Sequence, residues 1–213
     1  MPDRGECMYA ESPQIEVRTV RIDDAQALHQ LEDSFETDRI YTLRVRGRLA
    51  PAADSDLYSQ ANPALTFELF ETPVDPPFYK SYRAFERTLA DVEASLRGVE
   101  GGYVALANGQ VAGVILLNVE EWRSVARIEH IIVGRQFRRY GIGSLLLSCA
   151  SDWARNLHCW AILLETQNVN YPAIQFYLRN GLEVWSISQQ YYPPGSVEHE
   201  IAIFMGKKLW SAP

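Results

Sequence analysis

Arg127-Ile-Glu-His-Ile-Ile-Val133-Gly-Arg-Gln-Phe-Arg138-Arg-Tyr-Gly141-Ile-Gly143-Ser-Leu-Leu-Leu147 is the stretch from which the fold can be read. A β-branched run at 128–133, interrupted by Glu129 and His130, leads into a basic turn, Arg138-Arg139-Tyr140-Gly141-Ile142-Gly143. Beyond the turn Ile142, Leu145, Leu146, Cys149, Trp153 and Leu157 recur at helical spacing, so the segment reads strand, turn, helix. The start of a helix presents N–H groups without intrahelical acceptors and the positive end of the macrodipole, which makes it a natural anion site. Gly141 and Gly143 put no Cβ over those amides, and Arg138 and Arg139 add fixed positive charge, so the turn is expected to cradle a diphosphate. A tight strand-to-helix connection is the plainer reading of the same glycines. A P-loop does not fit, because Gly143 is followed by Ser144-Leu145 rather than Lys and Ser or Thr; a dinucleotide fingerprint would need a third glycine.

Outward from this stretch, Asn108-Gly109 joins apolar runs at 102–107 and 110–117 in a hairpin pattern, and 122–126 turns the chain into the strand that carries Glu129. Downstream, 160–165 reads as a buried strand, 172–179 as a helix stopped by Asn180-Gly181, and 183–188 and 200–205 as closing strands. Upstream, 15–22 alternates as a first strand, and Asp23-Asp24 can cap a helix through Ala27, Leu28, Leu31 and Phe35. Asp33, Glu36 and Asp38 then gather acid at the end of that helix beside Tyr41. This is either a solvated helix end or a binding site for a cationic acceptor. The region 44–77, with Pro51, Pro63, Pro73, Pro76 and Pro77, is expected to be an irregular insertion with one strand at 65–70. Its aromatic content suggests a lid over the acceptor, and 81–96 continues as a helix through Phe85, Leu89, Val92 and Leu96. The sum is one α+β domain at 15–210, with a mixed, mostly antiparallel sheet flanked by helices, behind a flexible tail at 1–14.

The 213 residues, 47% hydrophobic, suit a domain with a sizeable core. A formal net charge of −7 argues against a nucleic-acid partner and is compatible with a cationic substrate. No secretory signal and no apolar run of membrane-spanning length is present, so no membrane partner and cytoplasmic residence are expected. Cys7, Cys149 and Cys159 show no metal-ligand spacing, and no metal site is expected. Trp185, Tyr191 and Tyr192 read either as a homodimer surface or as a packed edge.

Arg138-x-x-Gly141-x-Gly143 after an apolar strand resembles the acyl-CoA pyrophosphate motif of the GCN5-related N-acetyltransferases. Leu163-Leu164-Glu165-Thr166, Asn168-Val169-Asn170, Ala173-Ile174-x-Phe176-Tyr177 and Asn180-Gly181-Leu182 follow in the family's order. Glu32-Asp33-Ser34-Phe35-x-Thr37-Asp38 and Pro73-Val74-Asp75-Pro76-Pro77 are similar to the streptothricin (nourseothricin) acetyltransferases within that superfamily. The resemblance spans about 31–205 and implies acetyl-CoA as donor and an amine of a small cationic molecule as acceptor. A polyamine, another small amine, a protein amine, or a non-catalytic acyl-CoA-binding role are the alternatives.

Acetyl transfer to an amine requires a held diphosphate, a neutral amine, stabilisation of developing oxyanion charge and a proton for the departing thiolate. Glu129, on the central strand beside the turn, is the candidate base, since relatives carry an acid at the matching place; a surface carboxylate paired with Arg127 is the competing reading. The resemblance assigns the general acid to Tyr177 and gives Asn170 two roles, helix cap and contact to the cofactor arm. It also implies cofactor contacts from the main chain along Ile131, Ile132 and Val133, then from Arg138, Arg139, Tyr140, Gly141, Ile142, Gly143 and Ser144. The chain departs from the family in His130 where aspartate is usual, Arg135 where proline is common, and Arg139 where glycine is common.

Overall fold

A computed structural model describes residues 12–47, 65–82, 88–195 and 197–210. A seven-stranded sheet runs in the order β1-β4-β5-β6-β7-β9-β8, and a two-stranded ribbon, β2-β3, stands apart from it. In chain order these are β1 (Ile15–Thr19), α1 (Ala25–His29), β2 (Phe35–Gly47), β3 (Leu65–Lys80), α2 (Leu89–Arg97), β4 (Gly101–Ala107), β5 (Gln110–Glu120) and β6 (Val125–Val133). They continue with α3 (Ile142–Asn156), β7 (Ala161–Gln167), α4 (Tyr171–Arg179), β8 (Glu183–Ser188) and β9 (Ala202–Lys208). Every sheet pairing is antiparallel except β6 with β7, as expected for the mixed, mostly antiparallel sheet. Among the described residues no helix is long and apolar enough to cross a membrane.

The main core lies on the face covered by α3 and α4, where Ile115, Leu117, Ile128, Leu146, Ile162, Ile174, Ile203 and Met205 interlock. A smaller cluster, Val104, Val114 and Leu116 with Leu28 and Leu96, seats α1 and α2 on the opposite face. The buried stripe of α3 is Ile142, Leu146, Leu147, Ala150 and Ala154, rotated from the expected one. Leu145 and Leu157 are exposed, because small alanines let the helix lie close to the sheet. Cys159 is buried and Cys149 half-buried; Cys7 and residues 1–11 of the tail expected at 1–14 lie outside the described residues.

Three upstream expectations are corrected. The first helix ends at His29, and 35–47 is strand. Local bonds take over there: the Glu32 carbonyl accepts from the Arg135 amide at 2.9 Å, and the Ser34 amide donates to the Glu32 carboxylate at 3.2 Å. The region expected to be an irregular insertion at 44–77 is strand wherever it is described, since 44–47 and 65–77 belong to β2 and β3 and the strand expected at 65–70 opens β3; 48–64 lie outside the described residues. Arg39 and Arg46 on β2 meet Glu71 and Glu68 on β3, at 3.5 and 3.0 Å, and Arg44 lies 4.6 Å over the Phe70 ring. Pro76 and Pro77 are accommodated because the register jumps between Thr37–Phe78 and Arg39–Pro73, leaving 74–77 without ladder partners. The expected helix at 81–96 starts only at Leu89, capped by Thr88, whose hydroxyl accepts from the Asp91 amide; Phe85 lies outside the described residues.

Candidate active site

Strands β6 and β7 pair in parallel only from Val125–Ala161 to Arg127–Leu163, after which both continue, to Val133 and Gln167, without pairing to each other. The expected cofactor strand, Ile131 to Val133, is therefore an open backbone edge facing a gap between strands, the arrangement that receives an extended amide-bearing chain by strand addition. One carbonyl on it is already engaged: Arg138 Nε donates to Val133 O at 3.1 Å. Ile132 also packs its side chain into the smaller core cluster.

Gly141 is the N-cap of α3, with φ +80° and no side-chain cap, and the first intrahelical bond runs from Leu145 N to Gly141 O. The amides of Ile142, Gly143 and Ser144 thus lack intrahelical acceptors. A Cβ added to Gly141 would meet nothing within 4 Å, so this glycine leaves open space in front of the amides, as a diphosphate requires. Gly143 is a correction: its Cβ would lie 2.8 Å from Phe176 Cζ, so packing of α3 against α4 excludes a side chain there, while its amide still faces the turn. The Ile142 side chain is core and offers only its amide. Arg139 has φ +73°, a backbone region that favours glycine, which explains the family's usual residue; Tyr140 is half-exposed beside it. Burial first, and the neighbouring Arg135 guanidinium second, push the Arg138 pKa down. An anion in the turn would relieve both, and the residues therefore fit the diphosphate end of acetyl-CoA.

Arg135 and Arg138 share a groove of about 600 Å³ with Phe35, Glu36, Thr37, Asp38, Pro77 and Pro172. Two of the expected acceptor carboxylates, Glu36 and Asp38, thus line the same hollow as Arg138, the arginine expected at the diphosphate. They sit on β2 rather than at a helix end. Asp33 does not join them; it lines a separate hollow of about 240 Å³ with Leu28, His29 and Val92. Tyr41 is half-buried, its hydroxyl donating to Glu71 at 3.2 Å and accepting from Gln175 at 2.9 Å.

Glu129 occupies a bulge: Leu116 pairs with His130 and Leu117 with Ile128, leaving Glu129 without a ladder partner. Its carboxylate lies 3.5 Å from Arg127 Nε and accepts from Asn118 Nδ2 at 3.3 Å, so the pairing with Arg127 exists. Tyr177 is buried, and burial first, then the charge of Glu165, raise its hydroxyl pKa well above the ordinary value; the phenol keeps its proton at any physiological pH. Asn170 caps α4 by accepting from Ala173 N at 3.3 Å. Its Nδ2 donates to Tyr82 Oη at 2.9 Å, so the half of the amide expected to meet the cofactor arm has a protein partner.

Sequence reasoning assigned no role to Glu165, just past the point where β6 and β7 part. Burial pushes its carboxyl pKa up, against the hydrogen bond it accepts from Tyr192 Oη. A carboxylate inside the apolar run Leu163-Leu164-Glu165 was the available signal. Trp185 stacks on Trp160 at 5.6 Å, and Tyr191 meets Phe204 edge-on, so intramolecular packing accounts for the aromatics considered as a dimer surface.

Residues 64–182 match the model of the acetyltransferase (GNAT) family. The chain is 30% identical to streptothricin acetyltransferase of Streptomyces lavendulae over 194 residues, 89% of this chain and 93% of that protein. It is 27% identical to streptothricin acetyltransferase A of Bacillus subtilis, across 75% of this chain and 85% of that one. Among solved structures, nourseothricin acetyltransferase superposes with TM-score 0.71 at 28% identity, covering 92% of this chain and 98% of that one. A putative streptothricin acetyltransferase from Bacillus anthracis in complex with acetyl coenzyme A gives 0.69 at 25%, with the same coverage. With the uncapped glycine turn ahead of α3, the parted strands and the buried tyrosine in place, the chain belongs to the acetyltransferase (GNAT) family and is an acetyl-CoA-dependent N-acetyltransferase.

Proposed function

We propose that the acceptor is an amine of a cationic small molecule of the streptothricin type, acetylated in the cytoplasm. The observation that carries this reading is the shared groove, in which Glu36 and Asp38 can hold ammonium groups while Arg135 and Arg138 hold the donor's diphosphate. Similarity to streptothricin acetyltransferases over most of both chains supports it.

When bound, acetyl-CoA supplies an activated thioester; the remaining work falls on this chain. The Ile142, Gly143 and Ser144 amides and Arg138 hold the diphosphate, and the open edge of β6 aligns the arm. An alkyl ammonium must lose a proton before it can attack, and a carboxylate at the parting strands takes it. Glu129 is one candidate, although Arg127 and Asn118 occupy it; Glu165, made more basic by burial, is the second. Tyr177 Oη holds the proton for the leaving sulfur. The test is release of free thiol from acetyl-CoA with nourseothricin, polyamines and peptides as acceptors. Turnover confined to nourseothricin establishes the reading; turnover with polyamines or peptides alone overturns it.

A further inference from the structure

Among the described residues the β2-β3 ribbon shares no ladder with the large sheet, and discrete side-chain contacts and one backbone contact fix it to the body. Tyr41 N donates to Asn168 O at 3.0 Å, Asn168 Nδ2 returns to Tyr41 O at 2.7 Å, and Gln175 Nε2 donates to Tyr41 Oη at 2.9 Å. Following the end of β3, Tyr82 Oη donates to Gln167 Oε1 at 2.7 Å and accepts from Asn170 at 2.9 Å. Lys80 Nζ reaches both carboxylate oxygens of Glu200, at 2.5 and 2.6 Å. These contacts land on the end of β7 that has parted from β6, on the residue that follows it, on the first turns of α4, or on the segment just ahead of β9, all around the gap between β6 and β7.

The Lys80–Glu200 pair differs from the other ion pairs of the ribbon in being buried: the side chains are 8% and 12% exposed, whereas Arg39 and Arg46 remain largely in solvent. Removing two charges from water offsets most of their attraction, so such a pair adds little net stability over an apolar pair of similar volume. What it does supply is geometry. Its ammonium also stands 5.6 Å from the centroid of the Tyr82 ring, and the Tyr82 hydroxyl sits between Gln167 and the α4 cap Asn170.

We propose that the Lys80–Glu200 ion pair is a positioning element of the transfer site, fixing the end of the ribbon so that Tyr82 holds the β7 end and the α4 N-terminus in register around the gap. Neither residue touches the reacting atoms; both act through Tyr82 and Asn170. The inference rests on the acetyl-transfer reading of this gap but not on the identity of the acceptor.

The test compares wild type with Lys80→Met, Glu200→Gln, Lys80→Arg and the double variant Lys80→Met with Glu200→Leu, reading kcat, the KM of each substrate, the Kd of acetyl-CoA by calorimetry, and Tm. Apolar replacement of both partners should leave the fold and Tm close to wild type. With any amine that wild type acetylates, kcat should fall about ten- to a hundred-fold in that folded double variant, the penalty of a small misplacement, and Lys80→Arg should recover part of it. A double variant that melts like wild type and turns over within about two-fold of it overturns the proposal, as does one that loses only Tm. If wild type binds acetyl-CoA but acetylates no amine, the acceptor reading fails on its own. Positioning is then judged by acetyl-CoA affinity: about ten-fold weaker binding in the double variant sustains it, and unchanged binding overturns it.

Discussion

Glu165 and Glu129 are separated chemically by their surroundings. Glu129 is exposed enough to keep Arg127 and Asn118 as partners, whereas burial raises the Glu165 carboxyl pKa and Tyr192 holds it. A carboxyl with a raised pKa in the folded state contributes stability that is fully present below its unfolded value, near pH 4, and lost as pH rises through the folded value. Ionised Glu165 therefore costs stability at neutral pH. Glu165→Gln is expected to raise Tm, to lower kcat by about 100-fold, and to remove the acidic limb of the pH–rate profile. If Glu129 is the base, Glu129→Gln produces that loss and Glu165→Gln does not. The turn allows two further residue-scale expectations. Arg139→Gly relieves a left-handed backbone strain of about 1 kcal/mol, raising Tm by roughly 2–4 °C, while acetyl-CoA binding weakens and becomes less salt-dependent. Gly143→Ala pushes a methyl against Phe176 and costs about 1–3 kcal/mol, seen as a lower Tm.

At the scale of elements, Asn168 joins three of them. Its side-chain amide donates to Tyr41 O on β2, its Oδ1 accepts from Ile201 N ahead of β9 at 2.7 Å, and its own backbone follows directly on the last residue of β7. The residue is buried, so Asn168→Ala leaves backbone groups unpaired; the expected loss is about 1–3 kcal/mol for each group left without water. Denaturant melts should show it, and acetyl-CoA affinity should fall with it because β7 and the ribbon lose their common anchor. The elements nearest the turn were legible in the sequence because strand and helix periods change at Gly141, and because Asn108-Gly109 admits few alternatives to a hairpin. The ribbon was legible only in part: the strand expected at 65–70 opens β3, but its length and its pairing with 35–47 were not foreseen. Pro76 and Pro77 are tolerated because 74–77 drop out of the ladder, a condition set by the pairing partner rather than by the local sequence.

For the whole molecule, a net charge of −7 should steer a polycationic acceptor. The kcat/KM for such an acceptor is expected to fall as salt is raised from low ionic strength to about 0.15 M, where screening reaches a Debye length of about 8 Å. The value for a neutral amine should hardly move. Acid should release a different contact: hydrogen bonding to Arg18 holds the Asp24 carboxyl below its usual range. The stability it contributes is present above about pH 4 and is lost as pH falls through the lowered value.

By itself the sequence determined the strand-turn-helix order around Gly141, through local periods and backbone freedom, and the acetyltransferase family, through the resemblance of its short motifs. The tertiary structure alone decided that Glu36 and Asp38 lie on a strand facing Arg138, that Asp33 does not, that Gly143 is small because of Phe176, and that Glu165 is buried beside Tyr192. Each of those depends on which surfaces meet across distant parts of the chain, and desolvation, which sets the character of a carboxylate or a phenol, is a property of the packed neighbourhood rather than of the residue.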